Sequence, residues 1–319
     1  MNISIVITSY KREKKIQKII STLINQIPNK GKFEIIISGN NNKKISKGIQ
    51  KIYKKNIKLI FIKNKINSNA LKRNVGIKLA KNNNIILLDD DCLPQKNFLN
   101  QYIGLFKNLD SKNILCGSVI YNNNDIEKNN FLKYRQSRHF IIQKNDLNFN
   151  KNLNPSQIVT MNMGFKNSKL LKKVNFFDKR FGNYGFEDFE FGFRLVNSGF
   201  KLIPTYPKVL HMDDRNFSDY LSKIYYLSRK SVPILKKINI NAWKNTIFFK
   251  VENNFIINFL LKIKIINILI NLLQKIIILI EKVPYLYAPK LYRVAIFLSY
   301  CSGYCDRKLK SSKNYKWYR

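Results

Sequence analysis

Short runs of β-branched residues alternate along the chain with longer stretches in which apolar residues recur every three or four positions. Ile3 to Thr8 reads as a buried strand, and Ser9 to Lys11 as the turn out of it. Beyond the turn, Ile16, Ile19, Ile20, Leu23, Ile24 and Ile27 fall on one helical stripe that Pro28 ends. A second strand over Phe33 to Ser38 runs into a polar turn, Gly39 to Asn42. Then come another helix, a strand around Ile57 to Ile62, a helix from about Asn69 to Lys81, and an apolar strand ending at Leu88. This β-α-β-α-β-α-β order predicts an α/β fold with a largely parallel sheet and helices on both faces.

The pattern continues with a helix opened by Pro94 and Gln95 and reaching about Leu109, then a strand over Ile114 to Ile120. Between Asn122 and Pro155 the periodicity fades, so a long surface loop with one helix near Phe131 to Phe140 is expected. Long loops of this kind often act as lids. Val159 to Phe165 reads as a strand again. A helix starts at Glu187 and runs to Asn197 with Gly199 as its cap, and a strand-like segment after Pro204 and Pro207 ends at His211.

From about Phe217 the character changes. Phe255 to Ile280 is dominated by Ile, Leu and Phe, with Lys264, Asn267, Asn271, Gln274 and Lys275 on one helical side. No uncharged run reaches the roughly 18 residues that a spanning helix needs. Two readings stay open. One is a helix lying on an anionic membrane, helped by the basic tail of Lys308, Lys310, Lys313, Lys316 and Arg319. The other is a helix packed in the protein or at a subunit interface. A second apolar stretch, Val294 to Tyr304, follows a Pro-punctuated link.

Composition narrows the class. With 319 residues and 45% hydrophobic content the chain has material for a large core and is not disordered. Lys and Arg number 58 against 19 Asp and Glu, a net charge of +39. Nucleic acid, an anionic membrane and phosphorylated substrates all suit that charge, and so does codon bias, since Lys, Asn and Ile are over-used throughout. Cys92, Cys116, Cys301 and Cys305 are too scattered for a disulfide framework, and a reduced cytosolic setting is expected. Cys301 and Cys305 are spaced like half of a metal site whose other half is missing. The N-terminus begins directly with a strand, so no signal peptide is expected.

The chemistry concentrates in two acidic stretches. In LLDDDCLP, residues 87–94, an apolar strand ends in Asp89, Asp90 and Asp91, at the strand edge where open α/β sheets bind ligands. Three adjacent carboxylates repel one another. Either a hard cation such as Mg2+ or Mn2+ neutralises them, commonly together with substrate phosphates, or they are simply solvated. The second stretch sets Gly182, Tyr184 and Gly185 directly before Glu187, Asp188 and Glu190. Glu190 is accounted for by an i, i+4 pair with Arg194 and by the helix dipole, whereas the glycines before Glu187 and Asp188 prepare a close backbone approach. His211 becomes a ligand candidate only if the fold carries it to the aspartates.

Taken together, IVITSYKRE, ALKRNVGIKLA, LLDDDCLP and FGNYGFEDFEFGFRL occur in an order that resembles the inverting family 2 nucleotide-sugar glycosyltransferases with the GT-A fold. The resemblance covers roughly residues 2–215. It implies that Thr8 and Tyr10 contact the base or ribose and that Arg73 lies near the nucleotide or its phosphates. It further implies that Asp89, with Asp90, faces the ribose side and that Asp91 binds Mn2+ or Mg2+, with His211 as a further metal contact. The FGNYGFEDFEFGFRL stretch is similar to the Glu-Asp motif of the related galactosyltransferases. Asp188 then becomes the catalytic base, with Glu187, Tyr184 and Gly185 on the acceptor side. The sequence departs from the family at Gly39, where an aspartate often reads the base; Asn40 or Asn41 is the substitute.

The implied organisation is a nucleotide-sugar-binding half over residues 1–115, an acceptor-binding half over 116–215 and a helical extension over 216–319. The implied partners are a UDP-linked sugar donor, a glycan or glycolipid acceptor and the cytoplasmic face of an anionic membrane. Two other classes compete. A nucleic-acid-binding protein would use the charge, but no zinc finger, recognition helix or RNP-type motif is visible and the cations are spread evenly. A membrane scaffold with a decayed catalytic domain would be expected to have lost its acids. A nucleotidyltransferase would carry a Gly-rich phosphate loop, and Ser9 to Glu13 has no glycine.

Overall fold

The computed structural model describes residues 1–39, 57–64, 66–144, 151–182, 185–213, 216–260, 264–281, 283 and 286–308. The helix expected between Asn42 and Ile57 lies outside them, as do Asn40, Asn41, Tyr184 and the tail residues Lys310, Lys313, Lys316 and Arg319. The chain forms two compact units, one of residues 1–121, 139–183 and 187–213, the other of residues 122–138, 184–186 and 214–319.

The first unit is built on one eight-stranded sheet. Its strands are β1 (Ile3–Ser9), β2 (Phe33–Gly39), β3 (Ile57–Lys63), β4 (Asn84–Asp89), β5 (Cys92–Pro94), β6 (Asn113–Ile120), β7 (Asn162–Lys166) and β8 (Lys201–His211). They lie in the order β3-β2-β1-β4-β7-β6-β8-β5. The first four are parallel, β7 runs against both β4 and β6, β6 and β8 are parallel, and β5 runs against β8. The sheet is thus mostly parallel, as the element order predicts.

Period-two alternation divides the core. Ile3, Ile5, Ile7, Ile86 and Leu88 pack with the apolar stripe of α1 (Glu13–Gln26) and with Phe98, Leu99 and Tyr102, which belong to a later helix, Phe98–Lys107. Val6, Ile36, Ile85 and Leu87 point the other way, toward Ala70 and Ile77 of α2 (Asn69–Leu79) and toward Phe191 and Leu195. Helices cover both faces, which is why these strands read as nearly unbroken apolar runs. The helix Phe98–Lys107 is α3; α4 (Lys169–Val174) and α5 (Glu187–Asn197) complete the set in this unit.

Three local readings are revised. Pro94 does not open a helix: Cys92–Pro94 is a short edge strand, where a residue without an amide hydrogen is tolerated, and α3 begins only at Phe98. The stretch read as a long loop with one helix near Phe131 contains that helix, Asn130–Gln136, and a second one, Asn123–Lys128, both in the second unit. The strand expected from Val159 starts at Asn162, whose buried side chain joins three strands. Its Nδ2 donates to Ser118 O at 3.0 Å and to Pro207 O at 2.9 Å, and its Oδ1 accepts from Tyr102 Oη at 2.7 Å. Gly117 makes room for that amide, since a Cβ there would lie 2.1 Å from Asn162 Nδ2.

The second unit is helical. Its core gathers Phe131, Tyr134, Phe217, Leu221, Ile277, Tyr292 and Ala295 from the Asn130–Gln136 helix, α6 (Phe217–Tyr226), α7 (Lys264–Glu281) and α8 (Pro289–Lys308). Gln274 of α7 is not on a solvated polar side: it is buried and donates to Ser299 Oγ at 2.6 Å. Tyr225 Oη donates to Asp306 Oδ2 at 2.6 Å, and Gly303 lets α8 approach α6, since a Cβ would sit 2.5 Å from Tyr225 O. Among the described residues no helix is long and apolar enough to cross a membrane.

Candidate active site

The parallel pairing of β1 with β4 sets Thr8 opposite Asp89, at the carboxyl ends of both strands. Thr8 Oγ1 donates to Asp89 Oδ1 at 2.9 Å, and the backbone N–H of Tyr10 donates to Asp90 Oδ2 at 2.7 Å. The end of β1 and the turn after it therefore hold two of the three aspartates. Arg12 then brings a guanidinium against the same group: its Nη1 lies 2.8 Å from Asp90 Oδ1 and also pairs with Asp91 Oδ2. Burial pushes the Asp90 carboxyl up to about 6, against the pull of Arg12.

Asp91 is tied to the far edge of the sheet. Its carbonyl accepts from Met212 N at 2.7 Å, and the antiparallel pairing of β5 with β8 sets Cys92 opposite His211. His211 Nε2 comes within 3.5 Å of Asp91 Oδ2, while Nδ1 shares a 3.0 Å hydrogen bond with Tyr121 Oη that fixes the ring. Asp91, Cys92 and His211 offer ligand atoms within 4.8 Å of one another. Burial holds the Cys92 thiol well above its usual range, so it stays protonated and donates to Asp91 Oδ1 at 3.7 Å. The effective donors are one carboxylate and one imidazole. The two could hold a divalent metal ion, and the guanidinium already resting on Asp90 and Asp91 marks the spot as one where positive charge belongs.

Arg73 connects this cluster to the second acidic stretch. On α2 it is almost wholly buried, and it donates from Nη2 to Asp89 Oδ1 at 3.0 Å and from Nη1 to Glu187 Oε1 at 2.9 Å. Its Nε is buried with no hydrogen-bond partner. The neighbouring Asn74 fixes the helix by a two-way contact with Phe177, donating to its O at 2.7 Å and accepting from its N at 3.0 Å. Asp188 opens α5 beside Glu187. Burial and the Glu187 charge push its carboxyl up to about 7, against the pull of Arg73 and of the Phe189 N–H that it accepts at 2.8 Å.

The fold thus gathers Thr8, Tyr10, Arg73, Asp89, Asp90, Asp91, Glu187, Asp188 and His211 within the first unit. Gly185 belongs to the second unit, where φ is +98° and a Cβ would collide with Leu227 Cδ2, so only a glycine fits there. Two cations escape a reading of the sequence. One is Arg12. The other is Lys72, buried with Nζ donating to Asn67 Oδ1 at 2.6 Å and lying 5.1 Å from the Tyr10 ring centre. Burial lowers the Lys72 ammonium to about 8, with Asp90 and Asp89 pulling it back up.

The chain is 26% identical over 248 residues to an uncharacterised glycosyltransferase of Methanocaldococcus jannaschii, covering 76% of this chain and 80% of the relative. It is 25% identical over 228 residues to the chondroitin synthase of Pasteurella multocida, covering 62% of this chain and 23% of that longer protein. Among solved structures, TarS of S. aureus in complex with UDP aligns over 98% of this chain and 92% of its own, at 14% identity and a TM-score of 0.49. Residues 4–171, more than half of the chain, match the model of glycosyl transferase family 2, and the chain belongs to that family of glycosyltransferases.

Proposed function

We propose that this glycosyltransferase moves a sugar from a UDP-linked donor to a hydroxyl of a glycan, lipid-linked or protein acceptor, with inversion at the anomeric carbon. The observation that carries the reading is the Arg73 bridge: one buried guanidinium joins Asp89 to Glu187, and so sets the donor-side aspartates beside Asp188. In this reading Thr8 and Tyr10 line the base and ribose, with Asp89 and Asp90 beneath them. Asp91 and His211 would hold Mn2+ or Mg2+, which when bound neutralises charge on the departing diphosphate.

Asp188 takes the proton of the acceptor hydroxyl as its oxygen bonds to the anomeric carbon and the bond from that carbon to the diphosphate breaks. A carboxyl poised near 7 is suited to that proton, because it is strongly basic for an aspartate yet substantially ionised at neutral pH. Glu187 orients the acceptor from its place on Arg73. Tyr184 and Gly185 enter from the family resemblance alone, as further acceptor contacts. The match to a chondroitin synthase supports a polysaccharide among the acceptors. Peripheral contact with an anionic membrane at its cytoplasmic face belongs to the same reading.

Calorimetric titration of UDP with and without Mn2+ tests the donor side. Metal-dependent binding that Asp91→Ala abolishes is expected, and no UDP binding in either condition would overturn the choice of base. For the acceptor side, Asp188→Asn should keep UDP binding and lose turnover of the UDP-sugar. Full turnover by that variant would remove Asp188 from the role of base.

A further inference from the structure

The helices Phe255–Leu260 and α7 carry an apolar surface that the second unit leaves open to solvent. On α7, Ile268, Leu272, Ile276 and Leu279 follow one another at i, i+4, i+8 and i+11, so they form a single stripe. Ile268 is 57% exposed and Leu279 64%. The opposite side of the same helix is already used: Ile277 packs in the core with Tyr292 and Ala295, and Gln274 is bonded to Ser299. Phe255, 83% exposed, and Phe259 stack at 6.4 Å on the preceding helix and add to the open surface. Side chains of this size exposed in a row mark a surface that something else covers.

Charge selects what covers it. Residues 254–319 contain 12 Lys or Arg and 2 Asp or Glu. One of the two acids, Asp306, is buried against Tyr225 Oη, and Lys275 stands exposed beside the stripe. A second copy of a chain carrying +39 would meet this surface with strong like-charge repulsion. Nucleic acid would meet the lysines and leave the stripe wet. An anionic bilayer supplies both an apolar interior and a negative headgroup layer.

We propose that the stripe of α7, together with Phe255 and Phe259, is the face by which the second unit lies on an anionic lipid surface, apolar side chains in the acyl boundary and lysines at the headgroups. The helix lies in the plane of the interface and does not span it. This identifies the contact surface for the membrane association in the proposed function, and its failure would leave the donor chemistry of the first unit untouched.

The test is co-sedimentation of the full chain with phosphatidylcholine vesicles, pure or containing about 30% phosphatidylglycerol. The chain should pellet with the anionic vesicles, less so in high salt. The double variant Leu272→Glu/Leu279→Glu should lose binding by about tenfold or more, with unchanged circular dichroism and unchanged UDP titration. Because both side chains point to solvent, a milder pair, Leu272→Ser/Leu279→Ser, separates lost apolar contact from added repulsion and should weaken binding in the same direction. A wild-type chain that stays in the supernatant with anionic vesicles, or a double variant that pellets equally, would overturn the proposal. So would sedimentation velocity showing a dimer that the double variant dissolves, which would assign the face to a second copy.

Discussion

Replacing Arg73 with Met keeps most of the aliphatic stem and removes the guanidinium that bridges the two acidic stretches. The two partners are left in unequal positions. Asp89 is partly open to solvent and still accepts from Thr8 Oγ1 at 2.9 Å, whereas the Glu187 side chain is only 6% exposed. Removing one member of a buried ion pair typically costs about 3–5 kcal/mol. Arg73→Met is therefore expected to lower the unfolding free energy by about that amount in urea at neutral pH, with an unchanged slope. Adding Glu187→Gln should return part of the loss, because the buried side chain that faced the guanidinium is then neutral, and the double-mutant cycle should show coupling of about 0.5–3 kcal/mol. Arg73→Lys should be a poor substitute, since one ammonium does not reproduce a fork that reaches two carboxylates. A cost below about 1 kcal/mol, or strict additivity in the cycle, would refute the bridge as a structural element of the site.

Arg12→Gln should tighten Mn2+ binding in a calorimetric titration, because the guanidinium on Asp90 and Asp91 competes with a metal for the same oxygens; weaker binding would show that Arg12 assists the metal. Gly117→Ala drives a methyl into the Asn162 amide and should lower the thermal midpoint by an overpacking cost of about 1–3 kcal/mol, and an unchanged midpoint would contradict the packing described. Asp188 sets a pH dependence. Its carboxyl is raised to about 7 in the folded protein, against an unfolded value of about 4, so the folded state holds a proton that the unfolded chain has released. That contribution to stability is fully present below about pH 4 and is lost as pH rises through 7. Wild type minus Asp188→Asn should show this slope in urea midpoints, and the acidic limb of kcat/KM should fall near 7; parallel pH curves for the two proteins would refute it.

How far the site was legible follows from which residues stand out against their own sequence background. Acids are rare here, 19 in 319, so three in a row at the end of an apolar strand and a Glu-Asp pair at a helix start are conspicuous. The strands that carry them were equally legible, because burial on both faces makes Ile85 to Leu88 an unbroken apolar run. Cations are the reverse case. Arg12 pairs with Asp90 and Asp91 and Lys72 lies buried over Tyr10, yet in a chain with 58 Lys and Arg neither differs in type or spacing from dozens that face water. Only the fold separates them, by burying Lys72 completely and by turning the chain after β1 back over Asp90.

The same limit explains Gln274, which helical periodicity groups with the lysines. Amphipathic reasoning sorts side chains by polarity, whereas the helix sorts them by whether a partner is within reach, and Ser299 is. It also explains the Arg73 bridge. Arg73 and Glu187 are 114 positions apart, and the local signals around each, a helix stripe and a first-turn acid, are complete without the other. What joins them is the order of the sheet. Inserting β7 next to β4, antiparallel, returns the chain across the sheet, so that α2 and α5 share one apolar core with Ile85 and Leu87. A buried acid on one helix and a buried guanidinium on the other then come within 2.9 Å, and the pairing that organises the site is a consequence of topology that no window of sequence contains.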